Sequence, residues 1–160
     1  MPNIKIPILM KNIFLFIGAL FLLNITASGQ ENPMEETLKY LNEKFAGKCS
    51  IEVVNKVLTA KFFDGDKLFR DDNVSLKELD VNGIGYDAKE KIFSVACKKG
   101  LSDCVSRVLY VNKISRGYGR LSFPITLDDK GVADMTKAFT EMIKFATDKK
   151  HKNNNPPKLY

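Results

Sequence analysis

Residues 118–147 read YGRLSFPITLDDKGVADMTKAFTEMIKFAT, and this stretch decides the fold. Its first part alternates: Leu121, Phe123 and Ile125 are apolar, whereas Arg120, Ser122 and Pro124 interrupt them. A period of two sends the two sets to opposite faces, so 118–125 reads as a strand with one buried and one wet face. Pro124 has no N–H to give a ladder, which puts this strand end at a sheet edge. The period then changes. Val132, Met135, Phe139, Met142 and Phe145 or Ala146 recur at helical spacing, and Asp128 or Asp129 can cap a helix over 129–147. A stripe of Met and Phe can also be a partner-binding face; packing against the sheet is the simpler use of it.

Working back from this unit, residues 49–125 carry β-branched and aromatic residues in short runs between turn signals. The runs predict strands over 49–55, 57–63, 67–70, 81–86, 91–97, 104–112 and 118–125. Asp64-Gly65-Asp66, Asp71-Asp72-Asn73, Asp87-Ala88-Lys89-Glu90 and Ser115-Arg116-Gly117 mark turns, and 74–79 fits a strand or a short helix. Ahead of them, 33–46 predicts a helix: Asn32 can cap it, Pro33 suits its first position, and Met34, Leu38, Leu41 and Phe45 share a face. Gly47 stops it. Strands at hairpin spacing without alternating helices mean an α+β domain. The expected architecture is an N-terminal helix, an antiparallel sheet or partly open barrel of six to seven strands, and a C-terminal amphipathic helix.

The two ends read differently. Lys11, the apolar run Ile13–Leu23 and the small residues Ala27-Ser28-Gly29 have the order of a cleavable secretory signal over 1–29, with Gln30 as the new N-terminus. Met10-Lys11-Asn12 is a natural start, so 1–9 read as an extension. The apolar run is shorter than the ~20 residues of a membrane span, which argues against an anchor. Residues 149–160 offer nothing to bury and read as a disordered basic tail. The single domain is therefore 30–148, in an exported, periplasmic or secreted protein. With Lys5, Lys11 and the four tail lysines set aside, basic and acidic groups balance over 30–148. The net charge of +6 is thus no signature of nucleic-acid binding.

The search for chemistry is mostly negative. The lone histidine, His151, lies in the tail, where nothing can orient it for catalysis or metal binding. Asp64-x-Asp66 with Asp71-Asp72-Asn73 lacks the EF-hand order and reads as acidic turns. Gly83-x-Gly85 and Gly117-x-Gly119 are too short for a phosphate loop. No cofactor or metal is implied. Carboxylates are plentiful, but no pair is singled out for glycoside hydrolysis. The charge map says more: Lys98, Lys99, Arg107, Lys113, Arg116 and Arg120 face one acid, Asp103, over 97–120. If the hairpin 91–112 and the strand 118–125 are neighbours, these cations form a surface for phosphate or carboxylate groups, with Tyr110 and Tyr118 for stacking. A solvated basic face is the plain alternative.

Three cysteines leave one unpaired. Cys97 ends a predicted strand and Cys104 begins the next, so facing positions in a hairpin would place them within disulfide range. Cys49 is then free and buried. A Cys49 bridge to either partner, or three thiols, are the competing states.

The order helix, six or seven strands, amphipathic helix resembles the pleckstrin-homology-like superfold with an added N-terminal helix. Glu36-Thr37-Leu38-Lys39-Tyr40-Leu41-Asn42, Cys97-x6-Cys104, Leu121–Ile125, and Lys137-Ala138-Phe139 continuing to Ile143-Lys144-Phe145-Ala146 are similar to a family of small secreted Bacteroidetes proteins. The resemblance implies a fold and export, and supplies no catalytic residues. The expected function is a non-catalytic exported binding or structural domain. An anionic-ligand binder for lipid headgroups or polysaccharide, and a carboxylate-dependent hydrolase, are the alternatives. The processing expectation is direct to check: intact-mass measurement on protein from its native host should show a chain starting near Gln30, and residues 12–25 retained in a membrane fraction would contradict it.

Overall fold

The structure, a computed structural model, describes residues 33–148. The signal segment, the Asn32 cap, His151 and the basic tail lie outside the described residues. The chain runs α1 (Pro33–Phe45), β1 (Cys49–Val54), β2 (Val57–Asp64), β3 (Lys67–Ser75), a 3-10 turn (Leu76–Glu78), β4 (Leu79–Asp87), β5 (Ile92–Cys97), β6 (Val105–Leu109), β7 (Ile114–Tyr118), β8 (Arg120–Pro124) and α2 (Asp129–Thr147). The class is α+β, as the patterning predicts. All pairings are antiparallel, but the strands form two open sheets in place of one sheet or a barrel: β1-β2-β3-β6-β7 and β4-β5-β8.

The interleaved order follows from three crossovers. The 3-10 turn carries β3 into β4, residues 98–104 carry β5 into β6, and Gly119 carries β7 into β8. The registers Val74↔Val105, Val105↔Tyr118, Leu79↔Cys97 and Ala96↔Arg120 set all three side by side at one end. Backbone bonds stitch them: Cys97 N–H to Gly119 O at 2.8 Å and Lys98 N–H to Glu78 O at 2.8 Å. The hairpin turn of β2–β3, that of β6–β7, and the linkers to β1 and from β8 to α2 gather at the other end.

Five sequence expectations change here. Asp71-Asp72-Asn73 lies in mid-β3, not in a turn. Ser115-Arg116-Gly117 is β7, and the strand expected over 118–125 begins at Arg120. The strand expected over 104–112 stops at Leu109. Most consequentially, β5 and β6 do not form a hairpin but belong to different sheets. Cys97 and Cys104 are nonetheless bonded, with Cα atoms 5.9 Å apart. The pairing holds for a different reason from the one the spacing suggested: it closes the β5–β6 crossover and ties the sheets at their shared end. Close approach also explains two glycines. A Cβ on Gly117 would lie 2.3 Å from the Asp103 Cβ, and one on Gly119 3.0 Å from the Ser102 carbonyl oxygen, so this loop packs on the corner only where side chains are absent.

The core sits between the sheets and under the helices. Phe123 is its centre: its ring lies 5.2 Å from Phe45 of α1, 5.8 Å from Phe62 of β2 and 5.3 Å from Phe139 of α2. Burial of such side chains contributes roughly 1.5–3 kcal/mol each. On α2, Met135, Phe139, Met142, Ile143 and Ala146 face inward, which settles the stripe as core packing with Ala146, not Phe145, at its end. Asp128 caps the helix, accepting from Gly131 N–H at 2.8 Å. Replacing Cys97 and Cys104 by Ser opens a loop with sequence separation 7. In the chain-entropy account this costs about 2–3 kcal/mol. Urea unfolding should show that loss, and an unchanged midpoint would mean the crossover bonds alone hold the corner.

Candidate functional site

The six cations singled out by the sequence are not one surface. Lys98 and Lys99 lie in the crossover loop and Arg120 starts β8 beside it; Lys113 is at the opposite end, in the β6–β7 turn. Arg107 and Arg116 are the pair brought together. They are direct register partners on β6 and β7, so their side chains leave the same face.

Arg107 has a structural occupation. Its Nε and Nη2 donate to Asp72 Oδ1 and Oδ2 at 2.7 and 2.8 Å, and its guanidinium lies 4.1 Å over the Tyr118 ring. Arg70 grips the same carboxylate through Nε at 2.9 Å and through Nη2, and stacks 4.0 Å over Phe62. Asp72 is fully buried, and the side chains of Arg70 and Arg107 are 10% and 11% exposed. Arg70 Nη2 also donates to the Ser122 carbonyl at 2.8 Å, and both arginines reach Ser122 Oγ at 3.4 Å. One carboxylate and two guanidiniums thus join the five-stranded sheet to β8. Sequence reasoning missed Arg70 and Asp72, although Leu68, Arg70, Asp72 and Val74 keep a strand's period of two.

The concavity lies at the end away from the crossovers. It has a volume of about 360 Å³, with walls from Phe45, Phe62, Phe63, Phe69 and Ile125 and with Lys44 and Lys48 also lining it. Opposite the Phe62–Phe63 step, β3 carries one extra residue, Phe69, and the rings on both sides of this bulge line the site. Neither lysine forms an ion pair within the described residues. Cys49, also in the lining, is buried, and burial pushes its thiol up to about 12, so it does not serve as a nucleophile at neutral pH. The sequence hid this site because its aromatic residues read as ordinary core positions of three separate elements.

A second hollow of about 320 Å³ lies between α1 and α2, edged by Glu36, Asp134, Lys137 and Glu141. Tyr40 Oη is buried there without a hydrogen-bond partner among the described residues, and burial, then Asp134, raises its pKa. Asp71 is raised by burial too, but it sits on the outer face of β3 with Asn73 donating to it at 3.0 Å. Among the described residues no group of three or more His, Cys, Asp or Glu can hold a metal ion, and no helix is long and apolar enough to cross a membrane. Comparison with protein-family models, curated proteins and solved structures finds no match.

The triad makes Arg107 a stability residue. Asp72→Asn leaves two buried guanidiniums without a counter-charge, and should cost about 3–5 kcal/mol in urea unfolding. Arg120→Glu, on an exposed strand start, should change stability by less than about 0.5 kcal/mol. A mild effect at Asp72 would show that solvent reaches the triad.

Proposed function

We propose that this chain is a non-catalytic binding domain of an exported protein, and that it receives an apolar group of its ligand in the Phe-lined pocket. The observation that carries the reading is the pocket: aromatic walls on three elements, a volume in the range of small-molecule sites, and in its lining Lys44 and Lys48, neither of them ion-paired among the described residues. A ligand with an apolar body and an acidic end fits that chemistry. The bonded Cys97–Cys104 pair supports an oxidising compartment, and so supports export. From the pleckstrin-homology-like resemblance the reading keeps only the element order; nothing in it rests on strand order. The basic-strand reading, in which an anionic envelope ligand meets Arg107, Arg116 and Arg120, is narrowed by the commitment of Arg107 to Asp72.

A naphthalene sulfonate dye tests the pocket, because it combines an aromatic body with an anion. The intact protein should bind it saturably, with long-chain or aromatic carboxylates competing. Thr126→Trp, in the pocket lining, should block the site, and Lys48→Glu should weaken binding about tenfold, equivalent to ~1.4 kcal/mol. Binding indifferent to both changes, with the fold intact, would overturn the assignment.

A further inference from the structure

The row Asp72–Arg107–Arg116 crosses three neighbouring strands in direct register, and Arg70 enters it from the same strand as Asp72. Direct register puts Asp72, Arg107 and Arg116 on one face. The strip therefore holds three guanidiniums against one carboxylate. That carboxylate is spent: Oδ1 accepts from the Nε atoms of Arg70 and Arg107, and Oδ2 from their Nη2 atoms. Arg116 is exposed and forms no ion pair within the described residues. Like charges directly opposite one another across a ladder destabilise it, so the pair Arg107–Arg116 calls for an anion beyond the one carboxylate that the described residues supply.

The surroundings form a notch for that anion. β7 and β8 leave the corner at Gly119 as the terminal strands of their two sheets. Arg116 stands three residues before the corner and Ser122 three after it. Arg107 spans between them, stacked on Tyr118 and within 3.4 Å of Ser122 Oγ. Ser122 Oγ accepts from both buried arginines, which leaves its own proton for another acceptor. Arg107 spends Nε and Nη2 on Asp72, which leaves Nη1. Arg120 lies two residues from Ser122, on the same face of β8, and borders the notch. Arg107 is held in place by its stack and its two bonds to Asp72, so little side-chain entropy is lost when it binds.

We infer that the β7–β8 notch is a second ligand site, distinct from the aromatic pocket, in which Arg107, Arg116 and the Ser122 hydroxyl bind a phosphate or sulfate group. Arg116 is the residue to change, because it is exposed and outside the triad. Inorganic phosphate and sulfate, titrated into the intact protein at constant ionic strength against chloride, should shift the Arg107 and Arg116 side-chain and Ser122 backbone NMR resonances saturably. Arg116→Ala should weaken this at least tenfold with an unchanged melting temperature, while Lys98→Ala with Lys99→Ala should alter it less than twofold. Vesicles containing phosphatidylglycerol distinguish the source. Sedimentation that depends on Arg116 identifies a lipid headgroup, and saturable ion binding without sedimentation identifies a free or soluble anion. Absence of a saturable shift, or equal binding by Arg116→Ala, would overturn the site.

Discussion

The buried carboxylate of Asp72 is the constraint around which the two sheets are arranged. A carboxylate taken out of water costs several kcal/mol unless charge and hydrogen bonds replace the solvent. Here both oxygens are occupied twice, by Arg70 from the same strand and Arg107 from the next. The same arginines reach Ser122 on the other sheet. A hydrophobic contact would tolerate sliding between β3, β6 and β8; the directed bonds of two guanidinium forks admit one register. This is a specificity argument more than a stability one, since well-packed apolar residues of similar volume can equal or exceed a buried ion pair.

The two ends of the sandwich differ because of where the chain crosses. Three crossovers, a disulfide and two glycines at close approach tie the sheets at one end. At the other, the chain passes between layers only through loops flanking the helices. The aromatic rings there pack on one another but leave a hollow of about 360 Å³. Phe62 belongs to both regions: it lines the hollow, and Arg70 stacks on it. A ligand in the proposed pocket would therefore press on a ring that carries one arm of the triad, and the triad's other arm borders the proposed notch.

Local signals were legible in the sequence where one face of one element decides the outcome. The α2 stripe, the Leu121/Phe123 alternation, the Asp128 cap and the stop at Gly47 were of this kind. The glycine at 47 has φ +79°, the left-handed conformation its position required. What the sequence hid depends on partners distant along the chain. Asp71-Asp72-Asn73 reads as a turn because three polar residues normally belong in water; only the arginines at 70 and 107 make a strand of them. Ser115-Arg116-Gly117 reads as a turn because Gly117 looks like a chain reversal, whereas the glycine is there to admit Asp103. The cysteine pairing was readable without its reason, since seven residues can close a hairpin or a crossover equally well. Of the candidate cations, only Arg107 and Arg116 are direct register partners, and Lys113 lies at the other end, because sequence proximity does not determine which end of a sheet a residue occupies.

Two open sheets have four terminal strands, and each is a liability for pairing with another chain. This chain treats them differently. The outer side of β1 is closed by Asn42 of α1, whose side chain imitates a strand: Oδ1 accepts from Ile51 N–H at 2.7 Å and Nδ2 donates to Ile51 O at 2.9 Å. The side of β8 facing the larger sheet meets Arg70 at the Ser122 carbonyl, and β4 packs against α2. At β7 the crossover loop approaches Gly117. Among the described residues β7 has no strand neighbour beyond β6, and Arg116 provides its charge. A cation on an edge discourages pairing with a second strand and at the same time remains open to a small anion. The edge without a second strand is thus also the place where the strip's remaining cation, Arg116, meets solvent.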